Sequence, residues 1–220
     1  MADHKLILDT TWEEEGGLSK NLQDNASRDP VPDGTGNHTN RGVTWATFKG
    51  LAAKLSYTAT PALFYRMPIE IWRSIVKVGY WDVINLDNVK SQGLANLLFT
   101  IAWMSGNSRA ARFAQEVANS FGANLSVDSK IGPLSTNAIN ILTSTQAKDG
   151  QFFERIFNKY MDFLKSLNDW RTFGNGWTNR LTTLYNNSIA LIGKALLNPT
   201  KVGFWGLIIT LSAVGMTVFF

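Results

Sequence analysis

Cysteine is absent from this 220-residue chain, which excludes disulfides, thiolate nucleophiles and cysteine metal sites together and leaves the redox compartment unread. Histidine is almost absent too. His4 and His38 are the only two and stand far apart, so there is no metal-ligand cluster, no Cys–His pair and little basis for a Ser-His-Asp triad. Charged residues make up only 17%, and no Lys/Arg block is interleaved with aromatics, which sets nucleic acid aside as a partner. The opening M-A-D-H-K-L-I-L-D-T does not read as a signal peptide, because acids interrupt it and its apolar run is three residues long. There is no fixed-period repeat and no low-complexity tract. The glycines of G-T-G-N-H-T-N-R-G lack a strand-loop-helix frame, so a nucleotide loop is not expected, and neither is a cofactor.

What is present is a foldable, aromatic-rich chain. Hydrophobic residues reach 45%, with eight Trp and thirteen Phe, a load that suits cores, sugar clefts and membrane interfaces alike. The net charge of +4 is unevenly spread: residues 1–40 hold eight acids against three bases, residues 151–201 seven bases against three acids. A basic C-terminal half suits an anionic lipid surface or an anionic wall polymer. Val202 to Phe220 is nineteen residues without a charge, flanked by Phe204, Trp205, Phe219 and Phe220 and preceded by Lys194 and Lys201. As a helix it would span roughly 28 Å against a hydrocarbon core of about 30 Å. A C-terminal transmembrane helix is the expectation, with the preceding lysines on the cytoplasmic side.

Elsewhere helical periodicity dominates. A helix is expected over 3–15, ending at Gly16-Gly17. Residues 18–44, rich in Asn, Asp, Gly, Pro and Thr, read as a long ordered loop or a small irregular β-element. Pro68 opens a helix with Ile69, Trp72 and Ile75/Val76 on one face. Segments 91–104, 108–121, 133–144, 151–168 and 175–194 continue the helical pattern, and Asn198-Pro199 breaks it. The fold class expected is mainly α.

Carboxylates are the chemistry left after these exclusions. The stretch W-E-E-E-G-G sets three of them, Glu13, Glu14 and Glu15, against two glycines. Two carboxylates flanking a sugar linkage can hydrolyse it, one protonated as acid and the other charged. An acid must keep its proton, and the negative end of a helix dipole with like charges alongside pushes that way. Helical spacing does not choose among the three, and a solvated helix end would look the same. Glu15 is favoured because it abuts the glycines, where a substrate can approach closely. Trp12, three residues back, supplies an apolar wall.

The order of Glu15-Gly16-Gly17, then Asp29-Pro30 and Asp33-Gly34, then Thr39-Asn40-Arg41-Gly42-Val43-Thr44 resembles the glycoside hydrolase family 108 type of bacterial and phage N-acetylmuramidase. The resemblance implies a lysozyme-like helical domain with a small irregular or β loop element. It makes Glu15 the catalytic acid and leaves Glu13 and Glu14 as a solvated face. Phage-type lysozymes place an Asp six residues before a Thr, an interval that Asp33 to Thr39 keeps. On that likeness Asp33 is the charged partner, with Asp29 second, Thr39 holds the attacking water, and Trp12, Asn40, Thr44 and Asp29 meet substrate. The loop departs from the family's Asp-Pro-x-Asp-x-Gly-Gly-x-Thr by its extra Gly34-Thr35-Gly36-Asn37-His38.

Further on, Ala102-Trp103-Met104-Ser105-Gly106, then Asp128-Ser129-Lys130-Ile131-Gly132-Pro133, then Gly174-Asn175-Gly176-Trp177 with Arg180 resemble the family's companion peptidoglycan-binding segment. Ser129 stands where that signature has glycine, and Thr100 where an Asp is expected. Trp103 and Trp177 read as core residues before sugar platforms. The division that follows is a muramidase part at 1–90, a peptidoglycan-binding-like part at 91–187, an amphipathic pre-membrane helix at 188–198 and a transmembrane tail at 199–220. The function expected is a membrane-anchored muramidase cutting the MurNAc-β-1,4-GlcNAc bond. Its partners would be peptidoglycan glycan strands, lipid through 202–220, and capsid proteins of a phage whose internal membrane carries it to the next host's wall. A host inner-membrane lysis protein is the competing placement. A lytic transglycosylase, needing one glutamate, and a non-catalytic wall-binding or structural protein are the other two readings.

Overall fold

The computed structural model describes residues 1–192; residues 193–198 of the expected pre-membrane segment and the whole 199–220 tail lie outside the described residues. The described chain is helical with one small sheet, and it divides into a unit from Asp3 to Asp87 and a unit from Asn88 onward that also takes in Met1 and Ala2. No helix among the described residues is long and apolar enough to cross a membrane.

In the first unit, α1 (Lys5–Glu14) buries Ile7, Leu8 and Thr11, the neighbours along one stripe of a helix. The helix ends one residue before the expected limit. The amide of Glu15 still donates to the Thr11 carbonyl, but its own backbone is extended, at φ −80° and ψ 139°. Residues 18–44 contain three strands of two residues each, β1 (Leu18–Ser19), β2 (Thr39–Asn40) and β3 (Val43–Thr44), antiparallel in that order. Leu18 faces Asn40 and Ser19 faces Thr39; Thr39 faces Thr44 and Asn40 faces Val43. Arg41 and Gly42 make the hairpin turn with φ +46° and +72°, the two left-handed residues that match the twist of the flanking strands.

Two helices unforeseen in the periodicity follow. Thr44 caps α2 (Trp45–Ala52) by accepting the Thr47 amide at 3.0 Å. Thr60 caps α3 (Pro61–Tyr65), with Pro61 pre-set at the first helical position. Pro68 then stands just outside α4 (Ile69–Val76) as its cap position, and Trp72, Ile75 and Val76 are buried as the pattern implies. A wider turn over Lys77–Trp81 prolongs α4 and seats Trp81 in the core with Phe48, Phe64 and Trp72, all fully buried.

The second unit is built around α5 (Gln92–Ser105), whose residues Gly93 to Ala102 are all buried, the mark of a helix surrounded by others. It packs against α6 (Asn107–Ser120), α8 (Gln146–Lys165) and α9 (Trp170–Ile192), while α7 (Pro133–Leu142) packs on α6 and α8. Residues 188–192 are the last turn of α9, with Ser188, Ile189 and Ile192 buried. A side chain at Gly93 would lie 2.6 Å from the Ser188 carbonyl oxygen, so the α5–α9 crossing requires glycine there. Before α7 the chain turns at Ser129, φ +63°, the position where the resemblance expects glycine. Gln115 ties this turn down, its amide nitrogen donating to Asp128 Oδ1 at 2.7 Å and the Lys130 carbonyl at 2.8 Å. Thr100 is buried and its hydroxyl donates to the Asn96 carbonyl one turn back, at 3.0 Å.

Candidate active site

The corner after α1 is held by Arg41. Its guanidinium lies 3.9 Å over the Trp12 ring and donates to the carbonyls of Trp12 (3.1 Å) and Glu15 (3.3 Å). Its backbone amide donates to the Gly17 carbonyl at 3.2 Å, and its own carbonyl accepts the Trp72 indole N–H at 2.9 Å. Trp12 meets Trp72 edge to face at 5.4 Å. One residue of a hairpin turn thereby fixes the backbone from Trp12 to Gly17. Glu15 is half-buried there, while Glu13 and Glu14 are exposed. Trp12 is a wall to the guanidinium of Arg41.

Asp33 belongs to a loop folded back on itself, with the Val31 amide donating to the Asn37 carbonyl at 2.7 Å and with Gly34 and Gly36 both left-handed. The carboxylate is exposed and accepts from every side. Thr35 donates to Oδ1 through its amide (3.0 Å) and hydroxyl (2.7 Å), Tyr65 donates its phenol to Oδ2, and the two hydroxyls lie 2.8 Å apart. The Tyr65 phenol first, and the Thr35 hydroxyl next, hold the Asp33 carboxyl below the usual carboxylate range, so it is charged near neutrality. Tyr65 is absent from the residues singled out in the sequence. It lies 32 positions away on α3, and nothing in its local pattern marks it.

The other candidates hold the frame. Thr39 is buried in the middle strand β2 between Ser19 and Thr44. Asn40 is buried and donates its side-chain amide to the Phe64 carbonyl at 2.7 Å, which positions the end of α3 and with it Tyr65. Thr44 serves α2 as its cap. Asp29 ends a short 3₁₀ turn and accepts from Lys49 Nζ at 3.2 Å, an ion pair of partly exposed groups. The structure therefore gathers Trp12, Glu15 and Arg41 at one corner and Asp33, Thr35 and Tyr65 at another. Thr39, Asn40 and Thr44 lie in the sheet, and Asp29 with Lys49. Among the described residues no group of three His, Cys, Asp or Glu side chains could hold a metal ion.

The fold is similar to that in the structure of Brucella abortus SagA, with a TM-score of 0.65 and 22% sequence identity over 87% of this chain and 96% of that one. No curated protein matches the chain. The match to a family begins in α1 and ends at the close of α5, leaving the motifs at 128–133 and 174–180 outside it. Over residues 8–106, the stretch that holds the E-G-G corner and the Asp33–Tyr65 network, the chain matches the family Glycosyl hydrolase 108.

Proposed function

We propose that the chain is a peptidoglycan-degrading muramidase in which Glu15 and Asp33 are the working carboxylates. The observation that carries this reading is Asp33: an exposed carboxylate held charged by a phenol and a hydroxyl, within a segment that matches a glycosyl hydrolase family. In the proposed reaction Glu15 gives its proton to the oxygen between N-acetylmuramic acid and N-acetylglucosamine as that bond breaks. Asp33 supplies negative charge opposite the oxocarbenium-like centre, and water adds to the anomeric carbon while its proton returns to a carboxylate. The arrest of α1 at Glu14 supports the role of Glu15, because the extended backbone and two glycines leave room for a sugar beside it. Asp33 is preferred to Asp29, whose charge already faces Lys49.

Digestion of purified peptidoglycan by the full chain and by Glu15→Gln, with products weighed by mass spectrometry, tests the proposal. Reducing-end muropeptides from the unmodified chain and none from the variant are expected. Anhydro ends would make the reaction a transglycosylation, and no products at all would leave a wall-binding role. A membrane location belongs to the same proposal, carried by the charge-free stretch 202–220 and its preceding lysines. A domain kept on the cytoplasmic side would not meet the wall, which motivates the further proposal of delivery in a membrane-containing phage particle. Purified particles lacking the protein would refute that part.

A further inference from the structure

We propose that the unit from Asn88 onward carries an anion site, built on Arg109 with Ser105, Tyr160 and Arg180 beside it, that takes a carboxylate of the wall polymer; the ligand class rests on the muramidase reading above. Arg109 is the third residue of α6, and helical side chains lean toward the N-terminus, so its guanidinium is carried back toward the helix start. It lies 3.7 Å over the Phe163 ring, which anchors it without neutralising it. Its Nε is buried with no hydrogen-bond partner, and it belongs to no ion pair among the described residues. A buried charged donor left unmet is costly and is therefore uncommon unless something else completes it.

The surroundings are rich in donors. Gly106, φ +92°, precedes α6 and no side chain caps it, so the first amides of the helix face the same end as Arg109. Ser105 Oγ and the buried Tyr160 hydroxyl are 3.0 Å apart. Burial pushes the Tyr160 phenol up to about 12, against the Ser105 hydrogen bond and the charges of Arg109 and Arg180, which pull it down. Three acids of this unit are engaged elsewhere: Glu116 with Arg112 and Lys159, Asp128 with Gln115, and Glu154 with Tyr185. A guanidinium pairs with a carboxylate through two parallel N–H donors.

The exposed part of α9 carries aromatic rings. Phe173, Trp177 and Arg180 follow one another at helical spacing on α9, Phe173 is 51% exposed, and its ring centre is 5.9 Å from that of Trp177. An apolar strip ending in a cation suits a ligand with an apolar body and a terminal carboxylate. Two carboxylates of the wall polymer answer to that chemistry: the end of a peptide stem and the lactyl group of an unsubstituted muramic acid.

Calorimetric titration of the full chain with acetyl-dialanine, with its C-terminal amide, and with N-acetylmuramic acid tests the site. At least one of the two acids should bind about tenfold or more tightly than the amide, the factor expected of a charged hydrogen bond. Whichever acid binds more tightly identifies the source of the carboxylate. Arg109→Gln should erase the preference, and Arg112→Gln, whose arginine already faces Glu116, should keep it. Equal affinity for acids and amide, or no binding of any probe by the unmodified chain, would overturn the site without requiring any variant to fold. Loss of peptidoglycan digestion with acid preference intact would refute the catalytic reading and leave the anion site standing.

Discussion

At Asp33 two hydroxyls donate to one exposed carboxylate, and the consequence can be read in a pH profile. Tyr65→Phe removes the phenol that does most to hold the carboxyl below its usual range, so its pKa rises. The acid limb of peptidoglycan digestion should move to higher pH, while the rate on the neutral plateau changes less. The sign for stability is the same. A carboxyl with a depressed folded-state pKa stabilises fully above its unfolded pKa, and that contribution disappears as pH falls through the folded one. The variant should therefore lose resistance to unfolding at neutral pH and little at strongly acid pH, seen by urea titration at the two values. Glu15→Gln removes the proton donor but not the corner, and digestion should fall by about a hundredfold or more with the unfolding midpoint nearly unchanged. Arg41→Ala acts the other way. It strips the Trp12 ring of its cation and two carbonyls of their donor, and should cost about 1–3 kcal/mol in urea unfolding as well as activity.

Turns and caps carry the arguments at the scale of elements. Ser129 holds a left-handed backbone, which costs a non-glycine residue roughly 1–2 kcal/mol. Ser129→Gly should raise stability by about 0.5–1 kcal/mol once the extra freedom of the unfolded glycine is subtracted, measured as a higher urea midpoint. Helices with an apolar stripe were legible: α6, α7 and α8 follow the spacing of their apolar residues, and Gly16-Gly17 marks the end of α1. Shorter elements were not. Strands of two residues show no alternation, so the sheet is specified by the Arg41-Gly42 turn and by pairing with Leu18-Ser19 across the loop. The five residues of α3 are too few for a helical period, although Thr60-Pro61 is a recognisable start. The first turns of α9 contain Gly174 and Gly176, poor helix formers, yet the helix begins at Trp170 because the Trp170 ring packs directly on Gly174. The site divides in the same way. A local motif pointed to Glu15 and Asp33, whereas the Tyr65–Asp33 bond and the grip of Arg41 on Trp12 arise only when distant segments meet.

Across the whole molecule each of the two units has its own order of opening. In the second, α5 is buried along ten successive residues, so amides from Leu94 to Ala102 should exchange slowest in that unit. Mass-resolved hydrogen exchange checks this directly, and early exchange in α5 would contradict its central place. In the first unit, Arg41 draws its partners from α1, from the E-G-G bend and from α4, segments far apart along the chain. A bend fastened to the rest of its unit at three points does not fray by itself. With protease in excess, so that cleavage outpaces reclosing, Gly16-Gly17 should therefore be cut at the rate at which the entire Asp3–Asp87 unit opens, and cleavage there becomes a clock for the global unfolding of that unit.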